Sequence, residues 1–421
     1  MDAHPAARDP RSVALGVAGI VGLAGILAGM VTLGPTELGF DRNAAIEALV
    51  AWLPTTLPIA GIVLLASAVD IGAGVVVARA VRRRPFERLD VAILQGFVAA
   101  VVKDVAVLGL LGGVGLFSQP VLAIVDGAIL AAGVFRWRPL LTPGALPRPG
   151  KFSPFGVLVG VAWAAPLLLQ AASPVVPFMD VLPNHVAPAE HLRTFGTLTH
   201  LTDTQSPIYG PSRVFLGYTA LLGSITTLAG LPAGAVLAGF ILPATLLVAV
   251  AVHRLATVLG GRDVAGWALL TFAMTTSLAR LGDARATVVV LPLVAWSLTI
   301  VAERLAAPGP APDSGPASRP AVRPRPWLPD GVALGLGLGS AVLLHPVIGF
   351  LAAVTVGIVV LVQPGRASSL AVPALGTAAV VALPQAATMI GIGLPTIALI
   401  VALGLGVVVG VVLDRLAPLW A

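Results

Sequence analysis

The residues best placed for chemistry gather in one polar stretch, 174–213, PVVPFMDVLPNHVAPAEHLRTFGTLTHLTDTQSPIYGPSR. It carries three of the chain's six histidines together with Asp180, Glu190 and Asp203. Asp180 sits among Phe178, Met179, Val181 and Leu182. An apolar setting makes a carboxylate a stronger base, suited to taking a proton from a hydroxyl; an Asp capping the next helix is the plainer reading. His185 follows five residues on, and Pro188-Ala189-Glu190-His191 has the form of a helix start, with Pro early and an acid in the first turn. His185, His191 and His200 do not fall at a zinc spacing. The stiff turn Ser206–Arg213 offers the Tyr209 hydroxyl and the Arg213 guanidinium. Arg is suited to bidentate phosphate binding, although an interfacial tyrosine beside a snorkelling arginine has the same appearance.

Two further groups lie outside that stretch. The short turn Arg280-Leu281-Gly282-Asp283-Ala284-Arg285 is either a functional constellation or a local ion pair, and His345-Pro346 ends a later apolar run. Earlier in the chain, Asp70, Lys103, Asp104 and Asp126 interrupt otherwise apolar stretches. Ionisable residues in such places are costly and are paired or functional. Neighbours on a helix point about 100° apart, so Lys103 is expected to pair across helices with Asp126 or Asp70 and not with Asp104.

The elements that must position these residues follow from composition. Hydrophobic residues make up 57% of the 421 and charged residues only 10%, with mean hydropathy +0.98. Soluble domains carry roughly a quarter charged residues, so this chain has too little polar surface to cover itself in water. Its apolar runs are continuous and about 20 residues long, which excludes a barrel of alternating strands. The expectation is an all-α polytopic transmembrane bundle of about 12 spans. They fall near 12–34, 56–80, 91–115, 119–136, 154–173, 232–252, 264–281, 286–303, 329–345, 347–363, 368–389 and 394–414. The first run is too long for a cleaved signal and is expected to remain as a span.

The net charge is +6. The excess sits in short inter-helix clusters, which makes it a topology signal and not a nucleic-acid surface. With N- and C-termini cytoplasmic in the cell membrane, every basic cluster falls inside, provided that 214–230 does not cross. That segment is therefore expected to lie on the outer face as a juxtamembrane interfacial helix, with 174–213 an outer loop. The organisation expected is N-terminal transmembrane helices over 1–153, a membrane core over 154–303, a disordered Pro/Ala-rich cytoplasmic linker over 304–328 and C-terminal helices over 329–421. The absence of cysteine excludes disulfides and thiolate metal sites.

With Asp180, Tyr209, Asp283 and His345 in this order, residues 155–363 resemble the GT-C superfamily of polytopic glycosyltransferases. The resemblance rests on MDVLPNH, YGPSRVFLGYTALLGSITTLAG, LVAVAVHRLATVLGG, LARLGDARATVVVLPL and GLGLGSAVLLHPVIGFL. It implies transfer of a sugar from a polyprenyl-phosphate donor to a glycan, lipid or protein acceptor at the bilayer surface. Asp180 then matches the general base and Asp283 a second acid, which orients the acceptor or binds a divalent cation such as Mg or Mn. His185, His191, Tyr209, Arg213, Arg280, Arg285 and His345 would serve the substrates, the arginines holding the departing phosphate. Gly-rich helices such as 331–342 would pack closely beside the lipid tail. Two competing expectations remain: a secondary transporter or flippase using Lys103, Asp104 and Asp126, and a non-catalytic membrane subunit of the same fold.

Overall fold

The computed structural model describes residues 42–82, 84–136, 140–145, 155–156, 159–160, 163, 182–201, 215–274, 286–306, 327–362 and 368–389. Over these the chain is all-helical, as its composition requires. The elements are α1 Arg42–Arg82, α2 Leu89–Val107, α3 Gln119–Arg136, α4 Ala187–Phe195, α5 Leu216–Ala229, α6 Ala233–Met274, α7 Ala286–Val289, α8 Leu291–Ala306, α9 Trp327–Leu344, α10 Pro346–Val362 and α11 Ser368–Met389. Helix α2 continues into a π turn, Leu108–Gly112, and a second π turn, Leu182–Val186, leads into α4.

Six helical stretches are long and apolar enough to cross a membrane: Pro54–Arg82, Leu89–Gly112, Gln119–Arg136, Ala233–Arg262, Ala286–Ala306 and Leu370–Met389. Helices α9 and α10 are apolar but shorter. Large apolar side chains are exposed along their outer faces, among them Leu65, Ile124, Phe350 and Leu375. Water penalises such surfaces, and lipid is their natural solvent. The protein is therefore a helical membrane protein. The expected spans at 12–34 and 394–414 lie outside the described residues, as does most of 154–173 and the linker 307–326. The expected pair 232–252 and 264–281 is joined in one element that kinks at Gly261, whose φ of 85° and ψ of −176° only glycine tolerates.

Arg82, Arg88, Arg254 and Arg304 share one end of the bundle, called the basic end. Arg254 of α6 pairs with Glu303 of α8. Asp330 at the start of α9 feels both Arg304 and Arg82. Phe86 exchanges backbone hydrogen bonds with Leu140 and Thr142, which brings the chain after Arg136 to the same level. From Ala233 to its kink, helix α6 therefore runs parallel to α8, and the start of α6, the start of α7 and the end of α9 lie at the opposite, far end.

Helix α5 departs from expectation. It was expected to lie along the outer surface as an interfacial helix. Instead Leu216 through Thr227 are all buried, so no face meets water or lipid headgroups. A helix hydrophobic all round belongs inside a protein. Gly217 lies against the backbone of Leu343 and Gly223 against Leu192. A hydrogen bond from Gln119 Nε2 to Leu228 O (3.1 Å) ties its other end to the start of α3. Both ends of α5 thus sit at the far end of neighbouring helices. Its 14 residues lie crosswise within that layer, roofed by α4.

Candidate functional site

Two polar sites emerge, one at the far end and one in the middle of the bundle. The far-end site begins with the π turn Leu182–Val186. Such turns often mark functional places, and this one carries His185 into the interior at 6% exposure. The imidazole meets the Tyr218 ring edge-on, centroids 4.6 Å apart, and lies 5.6 Å from Phe215. Phe215 in turn stacks on His345 at 5.0 Å. Below them, Gln385 Oε1 accepts the Leu216 N–H at 2.8 Å and closes the start of α5. Residues remote in sequence (185, 215, 218, 345 and 385) therefore form one wall.

His345 does two jobs in that wall. One face of its ring covers Phe215, and Nδ1 accepts the Ile348 N–H at 3.3 Å, capping α10 where Pro346 opens it. The neutral ring then carries its proton on Nε2.

The structure turns His191 and Glu190 to other uses. Helix α4 forms as its sequence implies, with Pro near its start, Glu190 in its first turn and Gly196 ending it in the left-handed region at φ 66°. His191 Nε2 donates to the Thr199 carbonyl at 2.9 Å, and its ring packs against Phe195, 4.9 Å away. It clamps the turn after α4. Glu190 ion-pairs with Arg193 and accepts the Ala233 N–H on Oε2 at 2.8 Å. A carboxylate on one helix thereby caps the next long one, where an anion is favoured. The Arg193 hydrogen bond, with that N–H, holds the Glu190 carboxyl below the usual glutamate range, and the same bond raises the Arg193 guanidinium.

Asp180, Tyr209, Arg213, Arg280, Asp283 and Arg285 lie outside the described residues. The residues bordering them are described: Leu182 and Phe215 belong to or adjoin the wall, and Ala286 starts α7 at the far end. Among the described residues no group of three His, Cys, Asp or Glu is arranged to hold a metal. The expectation of a divalent ion rests on Asp283, outside the described residues.

The groove expected along the glycine-rich helix is filled. Gly331, Gly335 and Gly339 of α9 lie one turn apart and face Pro373, Thr377 and Val381 of α11. The close approach that glycine permits serves helix packing there and leaves that face no room for a lipid tail.

The second site lies in the middle of the bundle. Glycines bring α1, α2 and α3 into close contact: Gly74 faces the backbone of Gly96 and Ala100, and Gly133 faces Val76. Asp70, Lys103 and Asp126 stand on these three helices. Lys103 Nζ donates to Asp70 Oδ1 at 2.6 Å and to Asp126 Oδ1 at 2.7 Å, so both expected cross-helix pairs form at once. Asp104 also lies close, its Oδ1 3.0 Å from Nζ, without the geometry of a hydrogen bond. The expected separation of Lys103 from Asp104 is overcome because the four-carbon lysine stem swings across the 100° between them. Asp70 and Asp104 are fully buried and Asp126 nearly so. Measured along the helices, the group lies roughly 15–20 Å from the basic end, near the middle of a hydrocarbon layer about 30 Å thick.

No family model, curated protein or solved structure matches the chain.

Proposed function

We propose that the protein is a membrane glycosyltransferase that moves a sugar from a polyprenyl-phosphate donor to an acceptor hydroxyl at the far face of the bundle. Asp180 takes the acceptor's proton as its oxygen attacks the anomeric carbon, and the bond from that carbon to the phosphate oxygen breaks. Arg213, Arg280 and Arg285 receive the charge that develops on the leaving phosphate. Asp283 orients the acceptor or holds a divalent cation. In this reading the basic end is cytoplasmic, the chain makes about 12 crossings, and α5 is a crosswise helix of the outer layer.

One observation carries the reading. His185, Phe215 and His345, separated by up to 160 positions in sequence, stack into a single wall at the end opposite Arg82, Arg254 and Arg304. The segments that bring Asp180 and Arg213 join the chain at that wall, and the segment that brings Asp283 ends at Ala286 on the same face. A lipid-linked donor presents its phosphate at the height of the headgroups, which is where the candidate groups are needed.

The test uses the purified full chain in lipid nanodiscs with polyprenyl-phosphate sugars and a panel of hydroxyl acceptors, comparing wild type with Asp180→Asn. Removing a general base lowers transfer about 10²–10⁴-fold, and an unchanged melting temperature marks the loss as chemical. Equal transfer by the two proteins removes Asp180 from the mechanism.

A further inference from the structure

The mid-bundle cluster has no part in sugar transfer, and its charges do not balance. Three carboxylates face one ammonium, which leaves two negative charges uncompensated if all are ionised. Isolated charge in a medium of low dielectric constant costs many kcal/mol, and buried groups neutralise instead. Lys103 offers three N–H donors, and two are spent on Asp70 and Asp126. Asp104 is fully buried, points at the cluster, and has no hydrogen bond to either carboxylate oxygen among the described residues. Oδ2 of Asp70 is likewise buried without a donor. Asp104 Oδ1 has only the misaligned Lys103 ammonium at 3.0 Å, and neither Asp104 Oδ2 nor Asp70 Oδ2 has a donor among the described residues.

Among the described residues no other ionised group stands beside the cluster to supply the balance. Of the helices packed around the cluster, α5 carries only Tyr218 as a titratable residue. The charged residues of α6 and α8, and Asp330 of α9, lie at the basic end. Arg79 stands nine residues beyond Asp70 on α1, about 13 Å away along the helix, and Asp90 and Arg136 lie farther out still.

We propose that Asp70, Lys103, Asp104 and Asp126 form a proton-binding site in the membrane interior, in which Asp104 carries the bound proton. Asp70 and Asp126 remain carboxylates because each accepts a lysine N–H. Asp104, lacking that, takes a proton on one oxygen, and the O–H formed can donate to the vacant Oδ2 of Asp70. With that proton bound the net charge of the cluster falls from −2 to −1. The π turn Leu108–Gly112 follows directly on the same helix, and its first amide bonds the Asp104 carbonyl. A change of charge on Asp104 is thereby linked to a turn with an alternative α-helical register. The site stands independently of the glycosyltransferase reading.

Infrared spectroscopy of the full chain in nanodiscs, carrying aspartate labelled with carbon-13 at the side-chain carboxyl, tests this. At neutral pH the labelled wild type should show the C=O stretch of a protonated carboxylic acid, shifting on transfer to heavy water. Asp104→Asn should lose the share of that band carried by one residue, while Asp70→Asn and Asp126→Asn keep it. Should Asp104→Asn fail to fold, Asp104→Glu retains an acid and must still lose the labelled band. Three outcomes overturn the proposal: no such band in the wild type, a band indifferent to both substitutions at Asp104, or a band present in choline chloride that vanishes in sodium chloride. The last would mean that a metal cation, not a proton, holds the charge.

Discussion

Lys103 and its three carboxylates stand on helices that cross within backbone contact, so their distances are set by glycine packing deep in the molecule. His185, Phe215 and His345 are assembled differently, by a π turn, the entry to a crosswise helix and a helix cap. The first arrangement is closed: its spare carboxylate oxygens are buried, out of reach of a large ligand. The second borders the chain's polar segments and relies on ring contacts, each worth only about 1 kcal/mol. A closed ionic cluster suits holding helices together and storing protons. A stacked wall at the membrane surface suits binding something that comes and goes. The two regions should therefore fail differently when broken.

The largest effect is expected at Lys103. Lys103→Met leaves the Asp70 and Asp126 carboxylates buried without a counter-charge, and breaking a buried ion pair from one side costs about 3–5 kcal/mol. The thermal melt in detergent should fall sharply. Adding Asp70→Asn and Asp126→Asn should recover most of the loss, because a neutral cluster no longer needs the ammonium. A Lys103→Met protein that melts with wild type would mean that the cluster is already neutral without its lysine, and the contrast with the far-end wall would collapse.

What could be read from sequence follows the same division. Six of the expected spans were legible because lipid demands long apolar runs, and Asp70 and Asp126 could be matched to Lys103 because an ionisable side chain there has few partners to choose from. Asp104 was missed as a third neighbour, since helix geometry gives directions at Cα and a lysine head lies four carbons beyond. Helix α5 was assigned to the surface from the distribution of basic clusters, which says whether a segment crosses but not how deeply it is buried. In membrane proteins small residues mark helix contacts, and here Gly217 and Gly223 are such contacts. Phe215, Tyr218 and Gln385 gave no local signal at all. Their roles depend on α9 and α11 returning beside α5, a long-range pairing that no window of sequence contains.

An intermediate effect is expected at His345, where structure and function can be separated. His345→Ala removes both the ring over Phe215 and the acceptor that caps α10, at a cost of about 1–2 kcal/mol. His345→Asn restores a capping oxygen without an imidazole. If the wall binds substrate, the Asn variant should melt close to wild type and still lose sugar transfer. If the histidine only caps a helix, the Asn variant should transfer at the wild-type rate, and the far-end wall becomes packing like the rest of the bundle.

The smallest effect concerns Glu190, which fastens the roof helix α4 to the start of α6. Its carboxyl is held low chiefly by the Arg193 hydrogen bond, with a further contribution from the Ala233 N–H. A carboxylate with a lowered value in the folded protein stabilises fully above its unfolded value, about 4.3. That contribution fades as pH falls through the lowered folded value. The side chain is about one-third exposed, so solvent screening keeps it under about 1 kcal/mol. Melts taken from neutral to acid pH should show wild type losing stability below about pH 4.3 by a margin that Glu190→Gln lacks. At neutral pH the Gln variant should be only slightly weaker, because its amide oxygen can still accept from Ala233. Sugar transfer should be unchanged in it, since Glu190 binds the scaffold and not the wall. A variant that keeps its melt and loses transfer would instead put Glu190 in the site, and the boundary between roof and wall would have to be redrawn.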